Sequence, residues 1–211
     1  MSVVALIAQL GPRIAIPAIF VGPKVAVMDD PVEIAQTIAF SLLTVTSILT
    51  AFQGSLLLSL IPGVAAIAYG FMLRDPANRR VYRYGDWALT TPLMLLAILL
   101  ATKTPLPLIL LVLLSDVLMI GAGFLGAQAT DKTVKIRYFM AGMVLFLPVL
   151  YVLLTQKNQT AAILLTLCVW SLYPIVYLLD EQEVIDETIT NVSYAVMDMV
   201  SKIGLVYLLH V

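Results

Sequence analysis

Residues 34–73 read IAQTIAFSLLTVTSILTAFQGSLLLSLIPGVAAIAYGFML, and none of them carries a charge. A membrane helix needs about 20 mostly apolar residues to cross a hydrocarbon core of about 30 Å, and only helices or closed barrels satisfy their own backbone hydrogen bonds inside lipid. The stretch is therefore long enough for two antiparallel spans, with Gln53-Gly54 as the turn signal between them. Beyond it, the charged segment 74–83 leads into an apolar run at 87–102, and a further run at 104–130 is interrupted only by Asp116. Arg137 precedes a fifth run at 138–156, and a sixth at 158–179 lies between Lys157 and the acidic stretch Asp180-Glu181-Gln182-Glu183. The last span, at about 188–209, carries Asp198 and Lys202 in otherwise apolar surroundings. The pattern predicts an all-α membrane protein. Its short connections make neighbouring helices antiparallel and give one seven-helix bundle over residues 33–211.

Composition excludes the alternatives. Of 211 residues, 61% are hydrophobic and 12% charged, whereas charged residues make up about a quarter of a soluble domain. A net charge of −1 from 12 basic and 13 acidic residues offers no cationic surface for nucleic acid. Cys168 is the single cysteine, which excludes an internal disulfide and a cysteine-based metal cluster. Residues 1–32 stand apart: the segment is apolar, yet Pro12, Pro17 and Pro23 interrupt it and Arg13 and Lys24 charge it. A secretory signal places its positive charge before the apolar run, and here Ser2 to Leu10 precede Arg13. The expectation is a membrane-surface element packed over the mouth of the bundle.

An ionisable residue at membrane depth is costly and marks a candidate functional position. Lys202 lies near the middle of the last span, with Asp198 one helical turn before it on the same face. Asp86 opens the third apolar run, three residues after Arg83. Two carboxylates beside a buried lysine hold its charge by opposite sign. On spacing alone the group is either a tie between two spans or a functional centre.

The surrounding motifs favour the second reading. Arg83-Tyr84-Gly85-Asp86-Trp87-Ala88-Leu89-Thr90-Thr91-Pro92-Leu93 resembles the third-helix signature of the microbial (type 1) rhodopsins. The run from Asp116 through Met119 to Gly123 resembles their fourth helix at the same spacing. Trp170-Ser171-Leu172-Tyr173-Pro174 resembles their sixth-helix pocket motif, and Asp198-Met199-Val200-Ser201-Lys202 their seventh-helix attachment motif. The resemblance covers about residue 33 to the C-terminus, with four motifs in order.

The resemblance implies that Lys202 carries all-trans retinal as a protonated Schiff base, with Asp86 and Asp198 as counterions, Arg83 beneath them, and Thr90 hydrogen-bonded to Asp86. The polyene would lie among Trp87, Trp170, Tyr173, Pro174 and Tyr177, with Thr91 and Met94 beside it and Met119, Gly123, Phe139, Gly142 and Phe146 toward its ring. Aromatic and methionine walls suit a flat, polarizable chain. Asp116 would pair with Thr91 across two helices in a structural role. Met94 occupies a colour-tuning position and suggests green absorption.

The function implied is a light-driven proton pump with Asp86 as acceptor, rather than an enzyme. The alternatives are a light-gated ion channel and a photosensor. Algal-type channels carry glutamates on the first two helices, and residues 34–73 contain none. Chloride and sodium pumps alter the Asp86 and Thr90 motif, and no transducer surface is recognisable. Eleven residues past Asp86, where efficient pumps carry a donor carboxyl, stands Ala97. The expectation is reprotonation from water and a slow cycle. Thr190 stands where the best-known pump has a glutamate, leaving Glu187 and the acidic stretch as substitutes. The family also implies residence in the lipid bilayer, transport of protons or other small ions, and homo-oligomers such as trimers or pentamers. It places the N-terminus outside. The positive-inside rule points the other way, because Arg13, Lys24, Arg74, Arg79, Arg80, Arg83, Lys132, Lys135 and Arg137 share the N-terminal side against Lys103 and Lys157 on the other.

Overall fold

The computed structural model describes residues 29–156 and 160–210, so the surface element expected before residue 29 lies outside the described residues. Seven helices are long and apolar enough to cross a membrane. They are α1 (Pro31–Phe52), α2 (Leu56–Arg74), α3 (Arg79–Ala101), α4 (Leu106–Gln128), α5 (Lys132–Leu154), the pair α6 (Ala161–Trp170) and α7 (Leu172–Glu181), and α8 (Glu187–His210). No strand occurs among the described residues.

Local chemistry sets the ends. Asp30 caps α1 by accepting from the Val32 amide at 2.9 Å, with Pro31 in the first turn, and Asp131 caps α5 by accepting from the Val134 amide at 2.9 Å. Gly54 sits at φ +83° in the predicted turn between α1 and α2, a conformation in which a side chain would be strained. The α2–α3 connection holds a single 3-10 turn, Pro76–Asn78. It is pinned by Asp75, which accepts from Asn78 Nδ2 and Tyr82 Oη, each at 2.8 Å. These two bonds, the Asn78 one first, hold the Asp75 carboxyl below its usual range.

Three boundaries differ from the sequence expectation. α3 begins at Arg79 and α5 at Lys132, each well before its apolar run, and the sixth span is two helices rather than one. Absence of charge locates the part of a helix at hydrocarbon depth. Charged residues continue the same helix where they reach the interface or turn inward, as Arg83 and Asp86 do at 7% and 2% exposure. The sixth span breaks at Ser171, whose hydroxyl donates to the Leu167 carbonyl at 2.7 Å. Pro174, which has no amide hydrogen to continue the ladder, follows three residues later.

α1 packs on α2 and α8, α2 on α3, α4 on α5, and α6 on α8. The α1–α2 seam is close: Ser47 Oγ donates to the Ser59 carbonyl at 2.9 Å, and a Cβ at Gly63 would stand 2.8 Å from that hydroxyl. Large apolar side chains such as Phe52, Leu56, Ile67 and Tyr207 point outward, as lipid contact requires. Inside, Leu95, Ile98, Leu99, Ile163 and Leu205 close the bundle toward the α3–α4 connection. The α2–α3, α4–α5 and α7–α8 connections lie at the opposite end, with the start of α1, because successive spans alternate in direction.

Candidate functional site

The buried charges meet at mid-bundle. α8 carries Asp198 and Lys202 one turn apart, and α3 brings Asp86 against them: Lys202 Nζ lies 2.8 Å from Asp86 Oδ2 and 3.0 Å from Asp198 Oδ1. None of the three is more than 2% exposed. Such a group persists only when its remaining lone pairs and protons are matched, and further side-chain donors reach both carboxylates. Asp198 accepts from Tyr69 Oη at 2.8 Å, Tyr173 Oη at 2.7 Å and Trp87 Nε1 at 3.1 Å. Asp86 has one other donor, Thr90 Oγ1 at 3.2 Å, whose hydroxyl also donates to the Asp86 backbone carbonyl at 2.9 Å. The two carboxylates are therefore unequal, one held by three further donors and the other by one.

Arg83 stands one turn before Asp86 on α3 and forms no ion pair with either aspartate among the described residues. Its terminal nitrogen donates to Asn191 Oδ1, and its guanidinium lies 4.6 Å from the centre of the Tyr194 ring. Thr91 Oγ1 donates to Asp116 Oδ2 at 2.7 Å, tying α3 to α4 as the sequence suggests, and also to the Trp87 carbonyl at 2.8 Å. Thr190 reaches Asp180 instead, donating to its Oδ1 at 2.8 Å.

From Lys202 an apolar cavity runs between α3, α4, α5, α6, α7 and α8. Its wall includes Trp87, Thr91, Met94, Met119, Gly123, Phe139, Gly142, Phe146, Trp170, Tyr173, Pro174 and Tyr177, so the pocket residues expected from the sequence are all brought together. Trp87 packs edge-on against Tyr173 with ring centroids 5.1 Å apart, and Phe139 stacks on Tyr177 at 5.5 Å. Trp170 Nε1 donates to Ser201 Oγ at 3.1 Å and is fixed by it. Sequence alone assigns no role to Tyr69, Asn191 or Tyr194, nor to Tyr84 and Ser201, which stand in its motifs without an assigned contact. Tyr69 lay in a charge-free span where only a search for hydroxyl donors to the buried carboxylates would have singled it out.

Residues 32–211 match the family described as bacteriorhodopsin-like protein. The chain belongs to that family. Archaerhodopsin-2 of Halobacterium sp. (strain aus-2) is 29% identical over 177 residues, which cover 71% of this chain and 68% of that protein. The crystal structure of the light-driven proton pump rhodopsin of Coccomyxa subellipsoidea superposes at a TM-score of 0.77 with 26% identity, over 85% of this chain and 96% of that one. A halorhodopsin variant in its ground state superposes at the same TM-score of 0.77 with 19% identity, over 85% and 92%, and shows the shared fold alone.

This bacteriorhodopsin-like chain is an integral, multi-pass membrane protein, and its broad activity is light-driven ion transport rather than enzymatic turnover. Retinal is its cofactor, and the residues present fit that group. A primary amine ends an apolar, aromatic-walled cavity, which suits an aldehyde on a long conjugated chain. Two carboxylates within 3.0 Å of the amine match the positive charge of an iminium.

Proposed function

We propose that this chain is a light-driven proton pump in which Lys202 carries all-trans retinal and Asp86 accepts the proton held at Lys202 Nζ. The single observation that carries the reading is the 2.8 Å contact between Nζ and Asp86 Oδ2, on the carboxylate that has fewer other donors. Retinal held by Lys202 would supply a light-driven change of shape that weakens the electrostatic hold on the proton at Nζ. The rest belongs to the protein. Trp87, Trp170 and Tyr173 wall the cavity and exclude water. Tyr69, Tyr173 and Trp87 keep Asp198 occupied, which leaves Asp86 Oδ2 to take the proton from Nζ. Thr90 stays bonded to Asp86 and helps set its proton affinity.

The test uses the retinal-loaded protein in vesicles with external pH recorded under light. Illumination gives a pH change that a protonophore abolishes and that persists without an ion gradient. A current that reverses with the imposed ion gradient assigns a channel instead, and light-dependent absorption changes without any ion movement assign a sensor.

Return of the proton distinguishes this chain from faster pumps. Ala97 and its neighbours Leu95, Ile98 and Leu99 are buried and apolar, so the half of α3 toward the α3–α4 connection offers no carboxyl donor. Reprotonation from bulk water then slows as protons become scarce, and the final phase of the flash-induced absorption cycle lengthens in proportion to falling proton concentration. A recovery rate that does not change between neutral and alkaline pH would reveal an internal donor.

We also propose an exterior N-terminus, residues 1–32 as a surface segment beside a retinal-binding domain at 33–211, and assembly into trimers or pentamers. Of the cations that the positive-inside rule would count, Arg83 is buried within the bundle, and Lys135 is paired with Glu181 at 2.7 Å. That weakens the opposing argument on orientation.

A further inference from the structure

The end of the bundle nearest Arg83 holds a second, polar cavity of about 600 Å³, separate in character from the apolar one. Trp87, Tyr84, Tyr177 and Tyr194 line both cavities and form the partition between them. Four cations face the polar cavity, and three have local partners: Arg80 donates to the Ala127 carbonyl at 2.7 Å, Lys135 pairs with Glu181 at 2.7 Å, and the terminal nitrogen of Arg83 donates to Asn191 Oδ1. Arg79 and Arg83 each keep one further donor. Both Nε–H groups are buried and have no acceptor among the described residues, and Arg83 as a whole is 7% exposed. The two residues are four apart on α3, so their side chains leave the same helix face one turn apart. A buried N–H without an acceptor is a rare arrangement, and it calls for a partner.

We infer that this cavity binds a small monovalent anion, chloride or an ion of like chemistry, between the guanidinium groups of Arg79 and Arg83. Guanidinium is weakly hydrated and presents several N–H donors, which suits a halide in a confined wet site. The carboxylates at the cavity fix its selectivity. Asp180 is engaged by Thr190 and Glu181 by Lys135, while Glu183 and Glu187 are exposed and project at the rim. Rim charges of that sign repel polyvalent anions more than monovalent ones and keep the affinity modest. A bound anion next to Arg83 offsets part of the positive field that Arg83 exerts on Asp86 and Asp198, so occupancy changes the colour of the retinal-loaded protein. The site is independent of which ion is transported, because its filling is read without any transport assay.

The experiment takes the retinal-loaded chain in detergent at fixed pH and fixed ionic strength and replaces gluconate with chloride. The visible spectrum and the chloride-35 NMR linewidth are followed together. A saturable spectral shift and a saturable line broadening with the same midpoint are expected, with bromide and nitrate competing and sulfate failing to compete. Arg79→Gln forms the pigment, which reports that it is folded, yet weakens the midpoint by about tenfold, as loss of a charge-assisted donor does. A spectrum and linewidth that do not saturate with chloride, or a midpoint unchanged in Arg79→Gln, would overturn the inference.

Discussion

Lys202→Ala protein supplied with all-trans retinal stays colourless. Imine formation needs a primary amine inside the apolar cavity, and Lys202 is the lysine in its wall. The other described lysines, Lys103, Lys132 and Lys135, lie at helix ends or connections. The substitution also strips Asp86 and Asp198 of the cation that matches them, and breaking a buried pair in this way costs about 3–5 kcal/mol. Absence of colour in the alanine variant therefore mixes two effects. Lys202→Arg separates them. It restores a positive charge between the two carboxylates, while a guanidinium forms no stable imine with an aldehyde. The expected result is a protein with wild-type secondary structure by circular dichroism and no visible band after retinal is added. Colour in either variant, with a spectrum like that of the unaltered chain, would place the attachment elsewhere.

Much of this was legible in the sequence, and the physical reasons differ from place to place. Apolar runs nearly free of charge, the first of them long enough for two helices, located seven spans because charge is costly over that length. The turn at Gly54 was readable because glycine takes its positive φ without strain. Lys202, Asp198 and Asp86 stood out by rarity, since each is a charge where charge is costly. What the sequence withheld were features decided by partners on other helices. That α3 reaches back to Arg79 depends on a basic segment turning toward the polar cavity, which no count of apolar residues registers. Tyr69, in a span with no charge, meets Asp198 from 129 positions away. Arg83 was in view as a residue beneath the carboxylates, whereas its partners, Asn191 and the Tyr194 ring, are ordinary-looking residues in the last span. The break at Ser171 likewise needed the three-dimensional path, although Pro174 was in view.

Asp86→Asn separates the roles of the two aspartates, and its effect on transport is expected to be the largest of any single carboxylate change. Asparagine keeps the size of the side chain and an acceptor oxygen for Thr90, so the α3 packing around Trp87 survives. It removes the charge facing Lys202 Nζ at 2.8 Å and the oxygen able to take a proton from it. A positioned proton acceptor contributes on the order of a hundredfold or more, so light-driven pH change in vesicles falls by about that factor. The dark absorption band moves to longer wavelength because the positive charge, less tightly held at the nitrogen, spreads along the conjugated chain. Asp198→Asn gives the contrasting case. Three donors from Tyr69, Tyr173 and Trp87 converge on that carboxylate, so its loss disturbs pigment assembly and stability first, and any pigment that forms retains proton transfer to Asp86. The two variants must differ in kind. If Asp86→Asn pumps at the rate of the unaltered chain while Asp198→Asn forms pigment and does not pump, the acceptor is Asp198, and the inequality between the two carboxylates has been read in the wrong direction.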